Sequence, residues 1–179
     1  MVYLFLADGF EEIEALTPVD MLKRAGIDVL TVSINNDKTV TGAHNIKVIA
    51  DKTADEVCPC DLDMVILPGG LPGADNLRAN KTVQAFVDHA SQNGKFLCAI
   101  CAAPRILGEK GILEGKKAVC FPGFEQYLKG AIIQDCGCVR DGNVITAKSM
   151  GKAVEFSVAI IAALKDEQTA QKIKDSIFA

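Results

Sequence analysis

The sequence predicts an α/β fold: a flavodoxin-like, doubly wound, mostly parallel sheet sandwiched by helices, in a single domain. Three observations carry this prediction. Apolar runs of strand length alternate with segments of helical period along the chain. Those runs are apolar on both faces, as strands covered by helices on both sides must be. The length, 179 residues, suits one domain that buries a full core without disulfide or metal staples.

Each element follows in order. Residues 2–7 read as a buried strand. Residues 11–25 read as a helix with an inward stripe of Ile13, Leu16, Val19 and Leu22, ended by Gly26. Residues 27–33 are a second strand, Asn35-Asn36-Asp37 a turn, and 46–50 a short strand or hairpin arm. Residues 64–67 form a third core strand, stopped by Pro68-Gly69-Gly70, and 74–92 read as one helix. Residues 95–100 form a fourth core strand, followed by a helix from Ala102 to about Gly108. Short strands are expected near 117–120, 131–133 and 136–140, a last strand over 144–147, and closing helices over 151–164 and 167–177. Sheets of this kind bind ligands at the carboxyl ends of their strands. The segments after Ala7, Leu67 and Ile100 are therefore the places to look for chemistry.

Composition narrows the function. Net charge is −4 and Lys and Arg are scattered, so neither nucleic acid nor an anionic membrane is expected as a partner. The apolar start is short and meets Asp8 and a Glu-rich stretch at once, unlike a signal peptide, and no run reaches the ~18 apolar residues of a membrane span. A cytoplasmic location is expected. The seven cysteines then read as thiols and not as a disulfide framework.

The strongest local signal is Ala99-Ile100-Cys101-Ala102-Ala103-Pro104. A nucleophile elbow places a reactive residue on a sharp strand-to-helix turn and needs small neighbours two positions either side. Ala99 and Ala103 meet that need. The start of the following helix would favour a Cys101 thiolate and lower its pKa. Read alone, Cys101 is equally a small buried hydrophobe. In Leu67-Pro68-Gly69-Gly70, glycines after a core strand let backbone amides face a ligand or oxyanion, although a plain turn also accounts for them. Neither a phosphate loop nor a dinucleotide fingerprint is present. In Glu11-Glu12-Ile13-Glu14, the first two acids read as helix-dipole partners, whereas Glu14 falls near the inward stripe, one turn before Pro18.

In this order and combination, with Pro18-Val19-Asp20 and Arg24-Ala25-Gly26, these segments identify a resemblance over essentially the whole chain. The chain resembles the ThiJ/PfpI superfamily, in the branch holding the parkinsonism-associated deglycase and its bacterial relatives. The resemblance implies one ThiJ/PfpI-like (class I glutamine amidotransferase-like) domain over residues 1–179, with Cys101 as the reactive cysteine and Glu14 as the acid that hydrogen-bonds it. It implies that backbone amides of Gly69, Gly70 and Ala102 line an oxyanion site. It further implies a homodimer, no cofactor, no metal, and glyoxalase or deglycase activity on a small reactive carbonyl substrate such as methylglyoxal. The alternative it carries is an oxidative-stress sensor or chaperone whose cysteine is oxidised to sulfinate.

The chain departs from the family pattern in two places. Where many relatives carry His-Pro it has Phe121-Pro122, and near the last strand it reads Ala147-Lys148-Ser149-Met150-Gly151-Lys152. Ala102 stands where the protease-like branch has a histidine, which argues against peptidase activity. Neither histidine fits the late His-x-Glu of the class I glutamine amidotransferases.

His44, in a turn before residue 46, is a possible pocket residue together with Cys120 and Phe121, and His89 reads as a surface residue. Cys58-Pro59-Cys60 and Cys136-Gly137-Cys138 read as loose thiols, because the spacing is not that of a zinc site and nothing brings them together. Cys98 reads as core. Glu14 and Cys101 are expected to share one proton, since an ionised carboxylate beside sulfur opposes a thiolate whereas a protonated one donates to it.

Overall fold

A computed structural model describes all 179 residues. The core strands are β1 (Val2–Leu6), β2 (Val29–Ser33), then the hairpin β3 (Thr39–Thr41) and β4 (Lys47–Ile49), and β5 (Lys52–Thr53). These are followed by β6 (Met64–Leu67), β7 (Phe96–Ile100), β8 (Lys117–Ala118), β9 (Ile132–Ile133), β10 (Cys138–Asp141) and β11 (Val144–Ala147). The helices are α1 (Glu12–Arg24), α2 (Gly73–Ala79), α3 (Lys81–Gln92), α4 (Pro104–Glu109), α5 (Ala153–Leu164) and α6 (Glu167–Ser176).

The main sheet runs β10-β11-β7-β6-β1-β2-β5 and is parallel except for β10, which pairs antiparallel with β11. Every residue of β1 and β6 is buried, as the two-sided apolar runs require. One face packs on α1, α5 and α6 through Met21, Leu22, Phe156 and Ile160. The other packs on α2, α3 and α4 through Leu77, Phe86, Val87, Ile106 and Leu107. Phe86 meets Phe5 edge-on, with centroids 5.0 Å apart. Burying a side chain of this size is worth roughly 1.5–3 kcal/mol, so the sheet between these layers is the rigid platform for its strand ends.

Several sequence expectations change. Residues 74–92 form two helices, because the Asn80 side chain accepts from the Thr82 and Val83 amides and starts α3 afresh. The second strand starts at Val29 and not at 27. The expected strands near 117–120 and 131–133 are two-residue arms of a separate small parallel sheet, while β10 joins the main sheet. The inward stripe of α1 is misplaced. Ile13 (45%) and Leu16 (38%) are exposed, and the buried face is Glu12, Glu14, Ala15, Pro18, Met21 and Leu22. Hydrogen-bond partners for Glu12 and Glu14 lie beneath the helix and turn those acids inward. No helix is long and apolar enough to cross a membrane.

Candidate active site

The carboxyl ends of β6, β7 and β11 converge beneath the start of α1. β7 ends at Ile100, and Cys101 then takes φ = 64°. A residue with a Cβ held there costs about 1–3 kcal/mol and persists only where its surroundings fix it. Here the Cys101 amide donates to the Ala147 carbonyl (2.9 Å), and the Cys101 carbonyl accepts from the Phe121 amide (2.8 Å). Ala102 and Ala103 are buried in the turn, and α4 begins only at Pro104 and is six residues long. The elbow forms, but no long helix points at the sulfur. Individual amides of Ala102 and Gly70 serve it instead.

Glu14 is 1% exposed. Its Oε2 accepts from the Gly69 amide at 2.9 Å. The carboxyl group also takes the Met150 amide and is hydrogen-bonded to the Cys101 thiol. Gly69 is required for this approach: a Cβ there would lie 2.6 Å from Glu14 Oε2 and 2.7 Å from the Cys101 Cβ. Gly69 therefore positions Glu14 and its amide is already engaged there, while the Gly70 and Ala102 amides act on the Cys101 sulfur. Gly70 has φ +85°, which glycine alone adopts without strain.

Burial raises Glu14 from 4.5 to about 7, against the pull of its donors at Cys101 and Gly69. Burial also raises Cys101 from 9.0 to about 12, the Glu14 charge adds to this, and the Ala102 and Gly70 amides oppose it. The expected depression of the thiol pKa is therefore not found. The pair holds two protons below about pH 7 and a single shared one from there to about 12. Near neutral pH the Glu14 carboxyl group beside the Cys101 thiol is therefore part ionised.

His44 lies in the β3–β4 turn and does not reach Cys101. Its ring Nδ1 is 2.8 Å from Glu12 Oε2, and its amide donates to Glu12 Oε1 at 2.8 Å. This pairing with Glu12 raises the His44 pKa. Glu12, read from sequence as a dipole partner, is 5% exposed. Donor atoms of Glu11, Glu12 and His44 lie within 4.8 Å of one another, the only convergence of three metal-ligating side chains in the chain. Both Glu12 oxygens are already engaged by His44. Cys120 is buried beside Lys148, Asp135 and Glu125 in a cavity of about 250 Å³. Phe121 is 43% exposed and touches the site through its backbone. Cys98 is buried near Cys138 and Arg140.

Sequence reasoning missed Arg105. It is 7% exposed, pairs with Asp75 on α2, and lies over the rings of Phe124 (5.5 Å) and Tyr127 (5.9 Å). It thus ties the elbow helix α4 to the helix that follows the glycine loop. The only signal was a charge one residue past Pro104, in a segment otherwise apolar or small.

Comparison with known proteins adds the following. The DJ-1/PfpI family model matches residues 1–163. The chain is similar to the protein DJ-1 homolog B of Arabidopsis thaliana, 34% identical over 174 residues, covering 96% of this chain and 40% of the relative. It spans less than half the length of the two Arabidopsis relatives. It is similar to a deglycase of Pyrococcus horikoshii, 33% identical over 151 residues, covering 83% of this chain and 90% of that one. Among solved structures, oxidised DJ-1 of Toxoplasma gondii superposes with a TM-score of 0.94 at 30% identity, covering 98% and 96% of the two chains. A cysteine-to-alanine variant of a DJ-1 superfamily protein of Salmonella typhimurium gives 0.92 at 36% identity, covering 99% and 97%. With the whole fold shared and the family model spanning most of its length, the chain belongs to the DJ-1/PfpI family.

Proposed function

We propose that this chain is a cofactor-independent glyoxalase or deglycase-type enzyme acting on 2-oxoaldehydes such as methylglyoxal, or on their adducts. The observation that carries this reading is the hydrogen bond between the buried Glu14 carboxyl group and the Cys101 thiol, on an elbow where the Gly70 and Ala102 amides also face the sulfur. The deglycase name borne by an archaeal relative points the same way.

The Glu14 carboxylate takes the thiol proton as sulfur attacks the aldehyde carbon. The Gly70 and Ala102 amides stabilise the resulting oxyanion, which takes that proton back from Glu14 to give a hemithioacetal and leaves Glu14 a carboxylate again. Glu14 then removes the hydrogen of that carbon as a proton and returns it to the neighbouring carbon. One carbon is oxidised to a thioester and the other reduced to a carbinol, so no external redox partner is needed. Water releases the 2-hydroxy acid and the free thiol. A homodimer forms part of this proposal, its contact face including exposed Ile13 and Leu16 on α1 and Ile46 and Ile49 beside the hairpin.

The test is incubation with methylglyoxal, following lactate. Cys101→Ala is expected to abolish turnover, and Glu14→Gln to reduce it by 100-fold or more, in the range of about 10²–10⁴ for a proton-transfer group. Lactate produced at the parent rate by either variant defeats the proposal.

A further inference from the structure

Cys58-Pro59-Cys60 lies away from the active site, in the turn that leads into the amino end of β6, whereas Cys101 follows the carboxyl end of β7. Cys58 caps the short 3-10 turn Pro59–Asp61, its sulfur accepting from the Cys60 amide at 3.3 Å. The Cys58 side chain is also near enough to the Cys60 thiol to raise its pKa, and both cysteines are exposed. Proline between them fixes one backbone torsion. The turn is anchored to the core at Asp61, which accepts from the Tyr3 hydroxyl at 2.8 Å. Two accessible sulfurs are thus held side by side before anything binds.

The other pair of the same spacing provides a contrast. The Cys136 thiol donates to the Cys138 carbonyl, and Cys138 packs against the core below β10. That pair presents one free sulfur and not two.

From this geometry we infer that Cys58 and Cys60 form a bidentate two-sulfur site for a soft thiophilic centre, of the trivalent-arsenic or d10 divalent-metal class. The acidic surroundings favour such a centre over simple ionisation. Asp61 and the neighbouring sulfur both disfavour a second thiolate, whereas a bound cation or arsenic takes up both sulfurs without leaving net negative charge on them. With an aryl arsenic(III) oxide the reaction balances without an oxidant. Two arsenic–sulfur bonds form, the arsenic–oxygen bond breaks, and the oxygen leaves as water with both thiol protons. Arsenic stays trivalent throughout.

The test uses two probes on the intact chain, phenylarsine oxide followed by intact mass and Cd²⁺ followed by thiolate-to-metal absorbance. One equivalent of probe is expected, released by a dithiol competitor and not by a monothiol. Cys58→Ser or Cys60→Ser should each weaken binding by at least about 100-fold, because the second bond then loses its effective concentration. Cys136→Ser and Cys101→Ala should bind as the parent does. Binding of the arsenical alone assigns that class, and binding of Cd²⁺ alone assigns the metal class. Binding of neither, or equal binding by Cys58→Ser, overturns the inference. Because Cys101→Ala is expected to retain this site, the outcome is separable from that of the proposed enzyme activity.

Discussion

Replacing Glu14 by Gln should make the protein less sensitive to alkaline pH while it disables the proposed chemistry. Glutamine keeps the carbonyl oxygen that accepts from the Gly69 amide and removes the ionisable group. In the folded chain the Glu14 pKa is raised from 4.5 to about 7, with burial as the main cause. The folded state therefore binds a proton more tightly than the unfolded one. Its stabilising effect is complete below about pH 4.5 and is lost as pH rises through about 7. At about 1.36 kcal/mol per pH unit, that displacement amounts to about 3 kcal/mol between pH 4.5 and 8. Cys101 contributes nothing in this window, because both its ordinary value of 9.0 and its raised value of about 12 lie above it. Urea unfolding of the parent and of Glu14→Gln at pH 5 and pH 8 measures the difference directly. The parent should lose about 2.5 kcal/mol more than the variant over this interval. Equal losses would show that the carboxyl group is not held in a buried site, and the shared-proton account of Cys101 would fall with it.

Three further outcomes follow from the same contacts. Alkylation of Cys101 should show an inflection near pH 7 in the parent, where the pair loses its first proton, and Glu14→Gln should abolish that inflection while lowering the thiol pKa from about 12; iodoacetamide rates across pH 5–10, read by peptide mass, check both. Gly69→Ala should cost about 1–3 kcal/mol by overpacking, since its Cβ would meet Glu14 and Cys101; a melting temperature unchanged within a degree would contradict the close approach. Arg105→Met should destabilise by about 1–3 kcal/mol, reduced from the cost of breaking a fully buried pair because Asp75 is half exposed; denaturant midpoints measure it, and no change would remove the link between α4 and α2.

The sequence alone determined the layered fold. A run such as Val2–Leu6, apolar on both faces, is stable only as a strand covered from both sides, so the parallel sheet follows from local composition. It also pointed to the segments that carry the site, because Gly69-Gly70 and Cys101 with its small neighbours directly follow core strands, where sheets of this kind bind ligands. The tertiary structure decided what local pattern cannot encode. Helical period alone placed Ile13 and Leu16 inward, but partners from other segments, the Gly69 amide and the His44 turn, drew Glu14 and Glu12 beneath α1 instead. The proton affinity of the site belongs to the same category. Burial outweighs the individual amides at Cys101, and burial is a property of the assembled layers, which no spacing along the chain records. For the same reason the two C-x-C pairs, alike in sequence, differ in three dimensions: a surface turn leaves both Cys58 and Cys60 exposed, while Cys138 packs against the core and Cys136 hydrogen-bonds to the Cys138 carbonyl.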